Sequence, residues 1–361
     1  MCTTKPFFDP LHLTELSFDA LMEWLLSRST TELVSLAQQV CAETYGNKVF
    51  LRGLIEFSNE CLCDCLYCGI RKSNHKAQRY TLSDEEILET VKKGLSFGFK
   101  TFVLQSGEYR IELPERMARL LYQLRHITGE DVAFTLSCGV YPREVYREWK
   151  KAGANRYLLR FETSDESLFA RLCPGKTLSK RLQALDDLKA EGYAVGSGFM
   201  VGLPGETVAI RLRNVLLCRE LQLEMVGIGP FLPHPDTPLA SESPLPIEET
   251  IRITALLRLL LPWANIPATT ASGSLHPQGR EMMLAAGANV LMPNITPTEK
   301  KHHYLLYPNK ICLDEDGWEC LSCLSLRVAS VGKEISFERG ESILRDFSSP
   351  SFYFEKKPIS H

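Results

Sequence analysis

Three cysteines, Cys61, Cys65 and Cys68, fall in the run Asn59-Glu60-Cys61-Leu62-Cys63-Asp64-Cys65-Leu66-Tyr67-Cys68-Gly69. Their spacing is Cys-x3-Cys-x2-Cys, with an aromatic residue directly before the last cysteine. Three thiolates hold three irons of a 4Fe–4S cube, whereas an electron-transfer cluster normally has four protein ligands. The fourth iron is then free to take a small molecule through an amine and a carboxylate and to pass it an electron. A zinc knuckle is the competing reading, because Cys65 and Cys68 have Cys-x2-Cys spacing and His75 is the nearest downstream histidine. Structural zinc sites, however, usually pair two such knuckles. A disulfide framework belongs to small domains in oxidising compartments. Cys63, inside the same run, leaves the ligand set ambiguous on spacing alone.

A second set, Cys312, Cys320 and Cys323, has the spacing Cys-x7-Cys-x2-Cys, with Asp314, Glu315 and Asp316 as nearby oxygen donors. It reads as another iron–sulfur or metal site, with simple zinc or a labile cluster as alternatives. The other six cysteines (Cys2, Cys41, Cys63, Cys138, Cys173, Cys218) are scattered and read as ordinary thiols.

The remaining candidates stand where strands are expected to end. Gln105-Ser106-Gly107-Glu108 is a small-small-acid turn that brings backbone close to an amino-acid head group, or is plain loop chemistry. Ser137 reads equally as a ligand contact and as a satisfied structural hydroxyl. In Arg160-Phe161-Glu162-Thr163, Glu162 is placed to accept hydrogen bonds from ribose hydroxyls. Arg181, on the helix that follows, is suited to a bidentate carboxylate contact. A structural Glu–Arg pair is the bland alternative. The glycines of Gly196–Gly205 permit close backbone approach to something flat, or relieve crowding inside a barrel. His234 and Asp236 lie in a proline-rich loop, where a lone histidine is more often structural. Thr269 and Thr270 form a hydroxyl pair suited to a polar or anionic pocket.

These residues need a scaffold, and the pattern supplies one. Strand-like runs occur at Val49–Ser58, Thr101–Gly107, Val132–Cys138, Arg156–Thr163, Ala194–Leu203, Met225–Phe231, Asn265–Ala271 and Ala288–Pro293. Amphipathic stretches lie between them, at Ser83–Phe97, Pro114–Thr128, Tyr141–Ala152, Ser179–Glu191, Glu206–Leu221, Ile247–Leu261 and Pro277–Ala286. Several close at glycine (Gly98, Gly153, Gly192, Gly287), as helix caps do. The expected fold class is α/β, a closed (β/α)8 TIM-type barrel, with a doubly wound open sheet as the rival. Active groups of such a barrel cluster at the carboxyl ends of its strands. The cysteine triplet starts three residues after Ser58 and so faces the mouth. Residues 1–45 read as an N-terminal helical extension, 46–305 as the barrel, and 306–361 as a C-terminal segment with the second cysteine set and a tail. Pro233–Pro246 reads as a long loop, and the polar stretch after about Phe337 as loosely held.

Composition narrows the function classes. The 361 residues carry a net charge of −3, which gives no basic field for nucleic acid. No apolar run reaches membrane-spanning length, and Met1-Cys2-Thr3-Thr4-Lys5 does not read as a signal peptide. Twelve cysteines suit a reducing, anaerobic, cytoplasmic setting.

Taken together, these motifs resemble the radical S-adenosylmethionine superfamily, its biotin-synthase-like branch, and within that the HydE-type maturases of FeFe-hydrogenase. The resemblance is carried by the cysteine triplet with Tyr67, Arg52–Asn59, Cys68–Arg71, Leu104–Glu108, Met200–Gly205, Val226–Pro238, Ile266–Ala271 and Tyr307–Cys312 with the late cysteines. It extends from about residue 45 to 332. It implies that Cys61, Cys65 and Cys68 ligate a 4Fe–4S cluster whose open iron is chelated by S-adenosylmethionine. Tyr67 would lie by the adenine. Gln105, Ser106, Gly107 and Glu108 would meet the methionine moiety, with Gln-Ser where the family has Gly-Gly. Glu162 and Arg181 would contact S-adenosylmethionine. Ser137, Arg160, Thr269, Thr270, Tyr304 and Tyr307 would face the substrate. Cys312, Cys320 and Cys323 would hold an accessory cluster, 2Fe–2S or 4Fe–4S. The implied substrate is a small cysteine-bound iron carbonyl–cyanide complex, and the implied partners are an external electron donor and other hydrogenase maturation proteins. Two rivals stay open: a methylornithine-synthase-like rearrangement of a small amino acid, and a non-enzymatic metal-bearing scaffold.

Overall fold

The structure, a computed structural model, describes residues 11–108, 112–318 and 320–344. Its strands are β1 (Lys48–Leu51), β2 (Gly53–Ser58), β3 (Thr101–Ser106), β4 (Ala133–Ser137), β5 (Arg156–Leu158), β6 (Ala194–Val201), β7 (Met225–Pro230), β8 (Val290–Leu291) and β9 (Glu334–Ser336). The strands β2 to β7 form one six-stranded sheet in sequence order, every pair parallel. Both β2 and β7 are buried along their whole length, as strands covered on two faces must be.

Single parallel bridges carry this sheet back toward its start. Met225 bridges Asn265, Pro267 bridges Val290, and Leu54 bridges Asn294. The Val226 N–H donates to the Asn265 carbonyl at 2.9 Å, Ala268 to Val290 at 2.9 Å, and Ile295 to Leu54 at 2.8 Å. Strand-like segments thus follow one another around a TIM-type α/β arrangement. The expected seventh strand, Asn265–Ala271, is reduced to these bridges. Pro267 has no N–H to donate, and the chain turns at Thr270 into the helix Thr270–Leu275. The fourth expected strand, Arg156–Thr163, stops at Leu158, and Glu162 further along takes a left-handed φ of 69°. Outside the ring, β1 pairs with β8 on one side and β9 on the other.

The helices follow local signals. Ser83 and Glu86 form a reciprocal capping box on the helix Asp84–Ser96. Gly98, Gly153, Gly192 and Gly287 each follow a helix end with φ between 78° and 118°, a conformation that only glycine adopts freely. The N-terminal helices brace the outside: the Arg252 guanidinium donates to Leu25 O at 2.7 Å and Arg28 O at 2.8 Å.

The floor of the barrel is closed by the chain's later residues. Arg52 and Asn265 donate to Gly340 O at 3.2 and 3.0 Å, and Arg156, fully buried, pairs with Glu341 at 3.0 Å. The stretch from Phe337 to residue 344 is therefore anchored, unlike the loose hold expected there, and the rest of that tail lies outside the described residues. Two buried guanidiniums at strand starts require the carbonyls and carboxylate it brings. Among the described residues no helix is long and apolar enough to cross a membrane.

Candidate active site

A cavity of about 330 Å³ opens above the carboxyl ends of the strands. Cys61, Cys65, Cys68 and Tyr67 line one side of it, and Gln105, Ser106, Gly107 and Glu108 follow them round from β3. Ser137 comes from the end of β4, Arg160 and Glu162 from the segment after β5, and Arg181 from the helix Leu178–Ala190. Thr269, Thr270, Tyr304 and Tyr307 complete the wall. Every residue expected around the first cysteine set thus meets in one space.

The cysteine loop is pinned to the barrel by backbone hydrogen bonds. Leu62 N–H donates to Glu108 O at 2.9 Å, Leu66 N–H to Leu172 O at 2.8 Å, and Gly69 N–H to Leu306 O at 3.0 Å. Contact is close where glycine stands: a Cβ on Gly107 would lie 2.3 Å from Glu60 O and 2.7 Å from the Cys61 Cβ. His234 supports the loop from behind Gly69, and its Nδ1 accepts the Asp236 N–H at 3.1 Å. Burial pushes its imidazole pKa down, and Asp236 pairs with Lys76 at 2.5 Å. Both residues of that loop are structural supports.

The alternative of a Glu162–Arg181 pair gives way to two separate pairs. Glu162 binds Arg160 through Nη2 at 2.7 Å and Nε at 3.1 Å. Arg181 closes instead on Glu108, which also takes Lys176. Burial alone would raise the Glu108 carboxyl, but Arg181 and Lys176 hold it down at about 2. Burial would likewise lower Arg181, yet Glu108 and Glu162 keep it above the ordinary arginine value. Arg181 also donates to Arg160 O at 3.2 Å and lies 6.0 Å over the Phe169 ring.

Glu162 holds its left-handed backbone by donating to Gly198 O at 3.0 Å and accepting Met200 N–H at 3.3 Å. Such a conformation in a non-glycine residue is uncommon and gathers at functional sites. The glycines of β6 answer the sequence question differently. A Cβ on Gly198 would lie 2.0 Å from Gly227 O, so this glycine lets β6 and β7 approach.

Three residues around the site went unforeseen, two of them in the cavity wall. Lys176 sits in the loop before its helix. Glu56 and Lys310 form a buried pair, with Nζ at 2.6 and 2.8 Å from the two carboxylate oxygens. Lys310 also donates to Tyr304 O at 3.0 Å, and the Tyr304 hydroxyl accepts from Gln105 at 3.2 Å. The signal for Glu56 was visible: a lone carboxylate inside the apolar run Leu54-Ile55-Glu56-Phe57.

Two supposedly ordinary thiols stand beside the motif. Cys63 donates its N–H to Cys61 Sγ at 3.4 Å, and its thiol hydrogen-bonds the same sulfur, bringing Cys61 down to about 6. Cys173 hydrogen-bonds Cys65 and lowers its pKa, and lies 3.6 Å from the Tyr67 hydroxyl. Burial pushes Cys68 up.

The donor set fits a cube: Cys61, Cys65 and Cys68 stand together on one side of the cavity, and each iron of a cube takes one thiolate. The second set is less defined. Cys312 is half-buried at φ 63°, Cys323 is exposed on the helix Cys320–Ala329, and the Cys320 side chain lies outside the described residues. The neighbouring acids are engaged elsewhere: Asp314 with His302 at 2.8 Å, Asp316 with Lys93 at 2.9 Å.

The radical SAM superfamily model matches residues 55–215, and the biotin and thiamin synthesis associated domain matches residues 228–310. The [FeFe] hydrogenase maturase subunit HydE of Thermotoga maritima is 43% identical over 335 residues, 92% of this chain and 95% of that protein. The chain is a radical SAM enzyme of the HydE-type branch. Other radical SAM relatives agree on the scaffold. A 3-methylornithine synthase of Methanosarcina acetivorans is 32% identical over 295 residues, 80% of this chain and 81% of that one. The crystal structure of methylornithine synthase (PylB) matches with a TM-score of 0.79 at 26% identity, covering 90% of this chain and 96% of that one. The maturase HydG matches with a TM-score of 0.74 at 18% identity, covering 92% of this chain and 77% of that one, a likeness of fold. Radical SAM chemistry implies a 4Fe–4S cluster and S-adenosylmethionine, and the cavity offers three cysteines beside a partly enclosed space with polar side chains such as Gln105, Ser137, Glu162 and Arg181 in its wall.

Proposed function

We propose that this chain is a maturase that works on a small cysteine-bound iron carbonyl–cyanide precursor during assembly of the FeFe-hydrogenase diiron cofactor. The chemistry a bound cluster supplies is one electron to the sulfonium of S-adenosylmethionine, which breaks the C5′–S bond into methionine and a 5′-deoxyadenosyl radical. Cys61, Cys65 and Cys68 hold the cluster. Gln105, Ser106, Gly107 and Glu108 meet the methionine end, with Arg181 and Lys176 fixing the acid of that turn. Tyr67 flanks the adenine, and Glu162 accepts from the ribose. Ser137, Arg160, Thr269, Thr270, Tyr304 and Tyr307 face the substrate. The walls keep reacting groups near contact and water out.

Cys312, Cys320 and Cys323 carry an accessory iron–sulfur cluster outside the radical step. The chain divides into a helical extension (1–45), the barrel (46–305) and a C-terminal segment (306–361). It works in the cytoplasm with an external electron donor and with other hydrogenase maturation proteins.

The observation that carries this reading is the single cavity shared by the cysteine triplet and all the ligand-facing residues, in a chain 43% identical to HydE along nearly its full length. The test is anaerobic turnover of the reconstituted protein with dithionite and S-adenosylmethionine, offering an iron–cysteine carbonyl–cyanide complex against free amino acids. Consumption of the complex supports the reading. A rearranged amino acid as the only product moves the chain to the methylornithine synthase type.

A further inference from the structure

Away from the cavity, one buried thiol meets one buried amine. Cys41 lies on the helix Thr30–Tyr45 and is 0% exposed. Lys333 stands between the helix Cys320–Ala329 and β9 and is 8% exposed. Its backbone is held on both sides. The Lys333 N–H returns to Val328 O at 3.2 Å, Gly332 before it takes a φ of 72°, and the Glu334 N–H after it donates to Asn47 O at 2.9 Å. The side chain runs inward, where its Nζ lies 3.3 Å from Cys41 Sγ and 3.2 Å from Ala288 O. A sulfur and a carbonyl are these partners, and among the described residues no carboxylate pairs with Lys333. Burial pushes its amine pKa down, which favours the neutral form with a lone pair to share.

We propose that Cys41 and Lys333 form a covalent modification site, where dioxygen joins the thiol to the amine through one bridging oxygen, S–O–N. The 3.3 Å gap is too long for a direct S–N bond and close to what a single intervening atom spans. The step balances with dioxygen as the oxidant. The S–H bond and one N–H bond break, and S–O and O–N bonds form. Sulfur and nitrogen each give up two electrons, and dioxygen takes all four. One of its oxygen atoms stays in the bridge, and the other leaves as water with the two hydrogens. Dioxygen is small and apolar, and reaches buried groups when the structure opens locally. The neighbouring amine captures a sulfur that would otherwise climb the oxidation ladder to sulfinic acid. The link joins residues 292 positions apart, so it ties the N-terminal helices to β9 and restricts the unfolded chain.

The test uses the full-length protein, prepared without oxygen and divided in two. One half stays oxygen-free, and the other is held in air-saturated buffer. Both are alkylated, digested without reductant and read by mass spectrometry. The exposed wild type should yield the Cys41 peptide joined to the Lys333 peptide, heavier than their sum by one oxygen less two hydrogens. The oxygen-free half should lack this species, and dithiothreitol should release both peptides from it. Lys333→Arg keeps a cation in place and should yield no link. Exposed wild type should also unfold at higher urea than the same sample after dithiothreitol, a difference that Lys333→Arg should not show. Free Lys333 beside a Cys41 that is alkylated, sulfinic or disulfide-bonded in the exposed wild type overturns the proposal, whether or not the variant folds. A joined mass without the added oxygen overturns it as well.

Discussion

Arg181 and Glu108, 73 residues apart in sequence, form a partly buried pair at the cavity, and Glu108, just after β3, ties the cysteine loop to the helix Leu178–Ala190. Its carboxylate takes Arg181 and Lys176, while its carbonyl takes Leu62 N–H at 2.9 Å. The ion pair is therefore part of what fixes the cluster loop in place.

Glu108 makes stability depend on acid pH. Its carboxyl is held down at about 2 in the fold, against 4.5 for an ordinary glutamate, by Arg181 and Lys176. A depressed carboxyl contributes stability that is present above the unfolded value and lost as pH falls through the folded one. That contribution is on the order of 3 kcal/mol. Glu108→Gln should lower the urea midpoint at pH 7, and its deficit against wild type should shrink as pH drops from 4.5 toward 2.

Gly107→Ala should disturb the cluster loop without unfolding the barrel. The added methyl meets Glu60 O and the Cys61 Cβ, backbone and near-backbone atoms that cannot swing away. Iron uptake on reconstitution should fall while the far-ultraviolet circular dichroism stays that of the wild type.

The buried Glu56–Lys310 pair, with side chains 3% and 6% exposed, predicts asymmetric costs. Lys310→Met leaves a buried carboxylate and should cost about 3–5 kcal/mol. Replacing both partners, Glu56→Leu with Lys310→Met, should cost less than the single change. Chemical denaturation of the three proteins decides it.

Cys320→Ala separates the two cysteine sets. Iron should fall by the content of the accessory cluster proposed for Cys312, Cys320 and Cys323, while dithionite-driven cleavage of S-adenosylmethionine stays largely in place. Loss of all cleavage would contradict its peripheral role.

Much of this site was legible because its signals are local. The cysteine spacing, the turn after β3 and the helix-ending glycines each lie within a few residues, and the alternation of apolar runs placed them on one barrel face. What escaped depends on contacts distant in sequence. Lys176 reaches Glu108 across 68 positions and Lys310 reaches Glu56 across 254, and no spacing rule spans such gaps. The pairing of Arg181 with Glu108 rather than Glu162 was invisible for the same reason. Arg160, two residues before Glu162, already satisfies that acid locally. The hold on residues 339–342 escaped because a polar segment looks loose until the buried arginines it satisfies are seen.

The most direct measurement is 5′-deoxyadenosine formed per chain in an anaerobic incubation with S-adenosylmethionine and dithionite, for the wild type and for Cys65→Ala. Formation by the wild type and none by Cys65→Ala is the predicted result. Equal formation by both, or none by an iron-loaded wild type, would contradict it.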